Sequence, residues 1–449
     1  MRKTFLMIAL LFFVLGVQQI YAQTTPAHAL KNVTIHNADG STTESATIIW
    51  RDGVIEAVGT NVNIPFDAFE IDGGDSLHVY PGFIDGYSIW GSPDLPSNLP
   101  DLDDPGNPPY DRAGVQPERN PSDLLTEDKN FTTAMKAGFT TAALYPNGYM
   151  FPGSVEIFYL SDDHEKVELL SDGVGIAGSF DTAPGGWGSG AYPSTLMGVM
   201  AKFRQLMFDA TALQQHIKYY AQNPEMPAPK RDQVLEALFP VLNKETPLYF
   251  EVDSKENIER LLKLQDEFGF GLVIVSGKEA YAKADELKRR NISVLASIDF
   301  TDVPDWYKND KKTQDESEDS KTEEVEEKIS QEEQAYRDKQ LEAWKSEASN
   351  IKKLMDAGVK VGYASAGLDL KDLNEKFKLL FEEGGLSEQN LVQLMTRNTA
   401  DILGINRTHG SIAKGKNASF SVFDKQMSED GAKVQHNITN GIIYELNGE

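Results

Sequence analysis

Five carboxylates stand at or just beyond the ends of short apolar runs. They are Asp85 in "LHVYPGFIDG", Asp181 in "GVGIAGSFD", Glu251 and Asp253 in "PLYFEVDS", and Asp299 in "ISVLASIDF". Oxygens gathered from several strand ends are the donors that Ca²⁺ or Mg²⁺ takes, so an oxygen-only cation site is one chemistry this pattern could support. Each acid also has a simpler use. Asp85 before Gly86 suits a turn or strand end, and Asp253 competes with Ser254 to cap the helix that opens at "SKENIERLL".

Other chemistries lack their groups. There is no cysteine, which excludes a thiol nucleophile, a disulfide framework, a Cys-ligated metal and a lipidated cysteine. No G-x-S-x-G elbow occurs. Residues 185–210 form a Gly-rich stretch running into a helical pattern, without the lysine of a phosphate-cradling loop. Its glycines and aromatics suit a pocket mouth, and Met197, Met200, Phe203 and Met207 recur at helical spacing as core residues do. The seven histidines, at 28, 36, 78, 164, 216, 409 and 436, all fall away from the ends of the central apolar runs.

The elements that must position these residues are of two kinds. Residues 30–79 alternate apolar and polar positions, with Asp52-Gly53 placed as a hairpin turn in "IIWRDGVIEAVG". "GSIAKGKNASFSVFD" and "VQHNITNGIIYEL" give the C-terminus the same strand-like character. Between them, runs such as "GFTTAALYP", "GLVIVSG" and "VKVGYASAG" alternate with helical patterns such as "GKEAYAKADELKRRN". Strand-helix alternation of this kind predicts βαβ units and a (β/α)₈ barrel of the TIM type, with the two β-rich ends joined as a small sandwich. The expected boundaries are a signal peptide at 1–22, sandwich at 23–80, barrel at 81–400 and sandwich again at 401–449. Residues 309–350 interrupt the barrel with dense acidic charge. Their first part reads as disordered, and their second, from about Glu323, as an exposed helix with Val325, Ile329, Tyr336 and Trp344 as anchors.

The first residues, "MRKTFLMIALLFFVLGVQQIYAQ", carry two cations, an apolar run and Ala22 before Gln23, the pattern of a cleaved secretory signal. The expected location is therefore outside the cytoplasm, periplasmic or secreted. Loss of Arg2 and Lys3 takes the formal charge from −26 to about −28. A chain this acidic is expected to repel nucleic acid and, once the signal is removed, anionic membranes.

"PGFIDG", "AGFTTA" and above all "LVQLMTRNTADILGINRTHGSIAKGKNASFSVFD" resemble the amidohydrolase superfamily, in its imidazolonepropionase-like branch. The resemblance implies one or two divalent metals, zinc or another, at the C-terminal ends of the barrel strands. It implies ligands of His-x-His after strand one, Lys or Glu on strand four, His on strands five and six, and Asp on strand eight. The corresponding positions are Tyr87 and Ile89, a fourth strand offering only Asp181, then Glu251, Ser276 and Ala366. Ile89 and Ala366 carry no donor, and a tyrosine must ionise from near 10 to become a good ligand. The sequence thus predicts a degenerate copy whose Tyr87, Ile89, Glu251, Ser276 and Ala366 share the old pocket. No cofactor is expected, and the weaker carboxylates Asp85, Asp181 and Asp299 are the residue of the oxygen-only idea. The expected role is non-catalytic: binding a small molecule, or partnering an active amidohydrolase homologue. The alternative is an active hydrolase of C–N bonds, in small peptides or other amides, with an atypical metal site.

Overall fold

A computed structural model describes residues 25–97, 99–308 and 329–446. The signal sequence, Val325 and most of the acidic stretch of the insertion lie outside the described residues. No described helix is long and apolar enough to cross a membrane.

Two sheets organise the chain. The first is built from both ends: β1 (His28–His36), β2 (Thr42–Arg51), β3 (Val54–Gly59), β4 (Phe69–Pro81), β13 (Phe420–Phe423), β14 (Val434–Thr439) and β15 (Ile442–Glu445), in the order β15-β14-β13-β4-β1-β2-β3. The β2–β3 turn has Asp52 and Gly53 both at positive φ, 49° and 75°, the geometry a two-residue hairpin requires. The sheet curls until its far edge returns. Val54 bridges to Asn417, and the Trp50 Nε1 donates to the Gly441 carbonyl. Leu30, Ile48, Trp50, Val79, Phe420 and Ile438 fill the interior of this small sandwich.

β4 passes through the single residue Gly82 into the second sheet, so the sandwich fixes where the barrel begins. That sheet runs β5 (Phe83–Ser88), β6 (Phe139–Leu144), β7 (Ser154–Tyr159), β8 (Glu168–Ser179), β9 (Leu248–Val252), β10 (Leu272–Ser276), β11 (Ser293–Ala296) and β12 (Val361–Tyr363), each paired with the next. Seven strands run parallel. β7 runs antiparallel to both neighbours, so a hairpin stands where strict βα alternation predicts a third helix-linked unit. An inner cluster including Ile84, Ala143, Ile157, Tyr249, Val275 and Leu295 fills the lumen. A larger outer cluster packs the strands against the helices, the longer of which are α1 (Lys129–Lys136), α2 (Leu196–Gln222), α3 (Lys255–Phe268), α4 (Ala284–Arg290), α5 (Gln331–Ala348), α6 (Asn350–Asp356), α7 (Leu373–Glu382) and α8 (Glu388–Gln393).

Met197 and Tyr336 depart from expectation, and the alternative at the cap of α3 is decided. Phe203 and Met207 of α2 are fully buried, but Met197, at its first turn, is 82% exposed and is not core. Ser254, not Asp253, caps α3 by accepting from the Asn257 amide. In the insertion, α5 is anchored by Trp344, which is buried and donates to the Thr301 carbonyl, whereas Tyr336 is exposed.

The ring closes between β12 and β5, and the contact there is close. A Cβ on Gly86 would sit 2.6 Å from both Leu295 Cδ2 and the Tyr363 carbonyl oxygen. A backbone atom cannot yield as a side chain does, so Gly86→Ala should lower unfolding free energy by about 1–3 kcal/mol. Urea denaturation checks this against Gly188→Ala, whose Cβ meets nothing within 4 Å; equal midpoints for the two variants would contradict the close approach.

Candidate functional site

β5 sets the site through a bulge. Asp85 pairs with Ala142 and Ser88 with Leu144, so Gly86 and Tyr87 oppose the single residue Ala143. The Asp85 Oδ1 accepts the Tyr87 amide at 3.1 Å and the Ser365 amide, at the end of β12, at 3.0 Å. The first bond holds the bulge, and the second ties the two edges of the barrel together. The extra residue puts both Ile84 and Tyr87 into the lumen cluster. The Ala366 amide donates to the Tyr87 carbonyl at 3.3 Å, which completes the seam.

At the C-terminal mouth the Tyr87 ring lies on Tyr145, just past β6, with centroids 3.8 Å apart and planes 23° from parallel. Tyr249 of β9 lies parallel to Tyr87 at 6.5 Å. The Tyr145 hydroxyl donates to Glu251 Oε2 at 3.4 Å. Tyr87 is 1% exposed. Burial first, then the nearby Glu251 and Asp181 charges, push the Tyr87 and Tyr145 hydroxyls well above the ordinary tyrosine range. Glu251 is pushed up to about 7 by burial and by the negative charges of Asp253 and Asp181, against the smaller opposing pull of Tyr145 and Lys278.

The expected positions come together only in part. Tyr87, Glu251 and Ala366 meet around the stack, and Ser276 is buried at the end of β10. Ile89 lies past β5, is 37% exposed and takes no part in the lumen cluster. Ser276 and Ala366 both hold a left-handed backbone, with φ of 67° and 43°, a conformation unusual for residues with a side chain.

The carboxylates have separate occupations. Asp85 closes the seam, Asp181 accepts from the Ser179 hydroxyl at 2.7 Å, and Asp299 lies 3.6 Å from Lys278 and 3.9 Å from Lys376. Among the described residues no three His, Cys, Asp or Glu side chains are placed to hold a metal ion together. All seven histidines are described, and none stands at the C-terminal end of a parallel barrel strand. The groups at the mouth are two phenols and Glu251, with the charges of Asp181 and Asp253 close enough to act on it, and among the described residues no three acids or imidazoles converge as the ligands of a catalytic divalent metal do. Tyr145, Lys278 and Lys376 were missed by sequence reasoning; the signal for Tyr145 was its place directly after "TTAAL", where a strand-end residue faces the mouth.

A model described as the amidohydrolase family matches residues 337–448. An amidohydrolase from Thermotoga maritima MSB8 superposes with a TM-score of 0.73 at 21% identity, over 93% of this chain and 100% of that one. The chain has the amidohydrolase fold. A prolidase complexed with N-methylphosphonate-L-proline (TM-score 0.52, 15% identity, 93% and 99% covered) and a Xaa-Pro dipeptidase with methionine bound in its active site (0.51, 16%, 93% and 100%) share the fold more distantly. Comparison with the curated proteins finds no match. On this fold, active sites form at the C-terminal ends of the barrel strands, where the Tyr87–Tyr145–Glu251 array lies.

Asp85 gives the site a pH signature. It is fully buried, its Oδ2 has no partner among the described residues, and burial raises its pKa to about 7. Between about pH 4 and 7 the folded chain therefore holds a proton that the unfolded chain has released, and stability falls as pH rises through that window. Asp85→Asn keeps the oxygen that accepts both amides and removes the titration. Relative to it, the wild-type chain should lose about 2–3 kcal/mol between about pH 5 and 8 in urea denaturation. Glu251→Gln should flatten the same profile in the same direction. Parallel curves for all three proteins would contradict the buried-proton assignment.

Proposed function

We propose that this chain is a non-catalytic protein on the amidohydrolase fold that acts as the partner subunit of an active amidohydrolase homologue. The single observation that supports the reading is the stacked Tyr87–Tyr145 pair ending on Glu251, at strand ends where hydrolases of this fold hold their metal. A metal-bound water needs a cation to lower its pKa to about 7, and a cation needs deprotonated donors. Here the groups at the mouth favour keeping their protons. Fold alone does not carry activity, so the hydrolases that share the architecture do not decide the matter.

The second reading, an active hydrolase of C–N bonds with an atypical metal site, draws on one feature. Glu251 feels the charges of both Asp181 and Asp253, so three acids share the mouth. Elemental analysis separates the two readings, together with assays of Xaa-Pro dipeptides and simple amides on full chain purified without chelator. The expected result is far less than one Zn, Fe or Mn per chain, no turnover above blank, and raised activity of an amidohydrolase homologue from the same source when the two are mixed. Stoichiometric metal that leaves with activity on chelation would overturn the non-catalytic reading.

A further inference from the structure

The outer wall of the barrel carries a long helix with one side open to solvent. α2 runs for 27 residues, about 40 Å, between β8 and β9. Val199, Phe203, Leu206 and Ala210 bury one side of it against the barrel. The opposite side is a stripe. Ala201, Gln205, Phe208, Ala212, Gln215 and Tyr219 are all exposed, and they recur in alternating steps of four and three. That spacing averages 3.5, the repeat with which one helix presents a straight seam to another. Met197 and Gln222 extend the seam at its two ends and are exposed as well. Met197 is 82% exposed, and Phe208 and Tyr219 are 57% exposed each.

Composition sets the stripe apart. A quarter of the chain is charged and the net charge is −26, yet no charged residue stands on the seam. Two molecules of this charge repel each other, so close contact between them needs a face of this kind. Single exposed apolar residues are ordinary, but these lie in one line on a rigid element. The flanking charges are largely matched within the chain. Arg204 pairs with Glu267 at 2.7 Å, and Asp209 acts on the buried Lys202.

The order of the side chains says what fits there. Phe208 and Ala212 lie two residues either side of Ala210, Gln205 and Gln215 five, and Ala201 and Tyr219 nine. A second α2 laid antiparallel, with a two-fold axis at Ala210, sets each ring against a methyl group and each glutamine against a glutamine. Large against small, and amide against amide, is the self-complementarity that a two-fold interface requires. Charge agrees with this. The two-fold brings like edges of the helices together, and Lys218 has no ion pair among the described residues. It comes within about one turn of the Arg204–Glu267 pair of the second copy, where a carboxylate meets it. Eight side chains of these sizes offer roughly 600 Å² per copy, so the pair buries about 1,200 Å², the lower end of stable specific interfaces.

We propose that α2 pairs with α2 of a second copy of this chain, antiparallel about Ala210, in a weak and reversible dimer. The contact lies on the outer wall and uses no group of the barrel mouth, so it stands or falls apart from the non-catalytic reading.

Sedimentation equilibrium of the full chain over a range of concentrations tests it. A monomer–dimer equilibrium with a Kd on the order of 10 µM is expected. Ala212→Glu, at an exposed helical position, should keep the wild-type melting curve and weaken the dimer at least about tenfold. Ala221→Glu, exposed on the same helix but off the seam, should leave the dimer unchanged. The chain has no cysteine, so single cysteines report the register. Ala201→Cys chains mixed with Tyr219→Cys chains should form a disulfide between the two on oxidation. Ala201→Cys alone should not, because its two copies lie about 27 Å apart along the seam. A monomer at every concentration would overturn the self-pairing, even where Ala212→Glu then blocked binding of the amidohydrolase homologue. A dimer that Ala212→Glu leaves intact, or Ala201→Cys chains that link to each other, would overturn it too.

Discussion

The barrel depends on a seam that backbone pairing alone does not close. β12 is three residues long, and its Tyr363 amide is taken by the Thr399 hydroxyl rather than by β5. The join is made by one buried carboxylate together with the bond from the Ala366 amide to the Tyr87 carbonyl. Asp85 accepts one amide from its own strand and one from the far side of the ring, while Gly86 lets the two edges approach. A buried carboxyl that uses one oxygen twice and leaves the other without a partner is held more easily with its proton than without. Closure of the fold is thereby coupled to protonation.

The same residue decides what the mouth contains. By pinning the bulge, Asp85 turns Tyr87 inward, where it meets Tyr145 and, through it, Glu251. Stacked rings at 3.8 Å exclude water from the space between them. The dry surroundings then favour the neutral form of every group in the array, hydroxyls and carboxyl alike. In the proposed non-catalytic reading, the mouth keeps its protons. A hydrolytic metal site requires the reverse, a polar cradle whose donors have given theirs up.

Much of this was legible in the sequence, for physical reasons. "PGFID" followed by Gly-Tyr marks a buried strand with a carboxylate and a glycine at its end. The Gly and Lys punctuation of "HGSIAKGKNASF" returns the chain to the sandwich, as the β13–β4 pairing shows. Ser276 is the last residue of β10, where the apolar run ends, whereas Ala366 lies three residues past the end of β12. What escaped were features set by tertiary contacts. The antiparallel β7 has the same apolar pattern as a parallel strand, since both are buried on two faces. Ile89 follows Tyr87 by two, which suggests a shared face, but the strand has ended and the side chain is exposed. Met197 keeps helical spacing with its neighbours, yet it lies on the first turn, beyond the reach of the core.

The most direct measurement is anomalous diffraction at the zinc absorption edge, on crystals of the full chain grown with zinc in excess. The account predicts no peak among Tyr87, Glu251, Ser276 and Ala366, with the two tyrosine rings in contact and Glu251 turned to Tyr145. A zinc peak seated between those side chains, with the rings parted and Glu251 ligating, would contradict it.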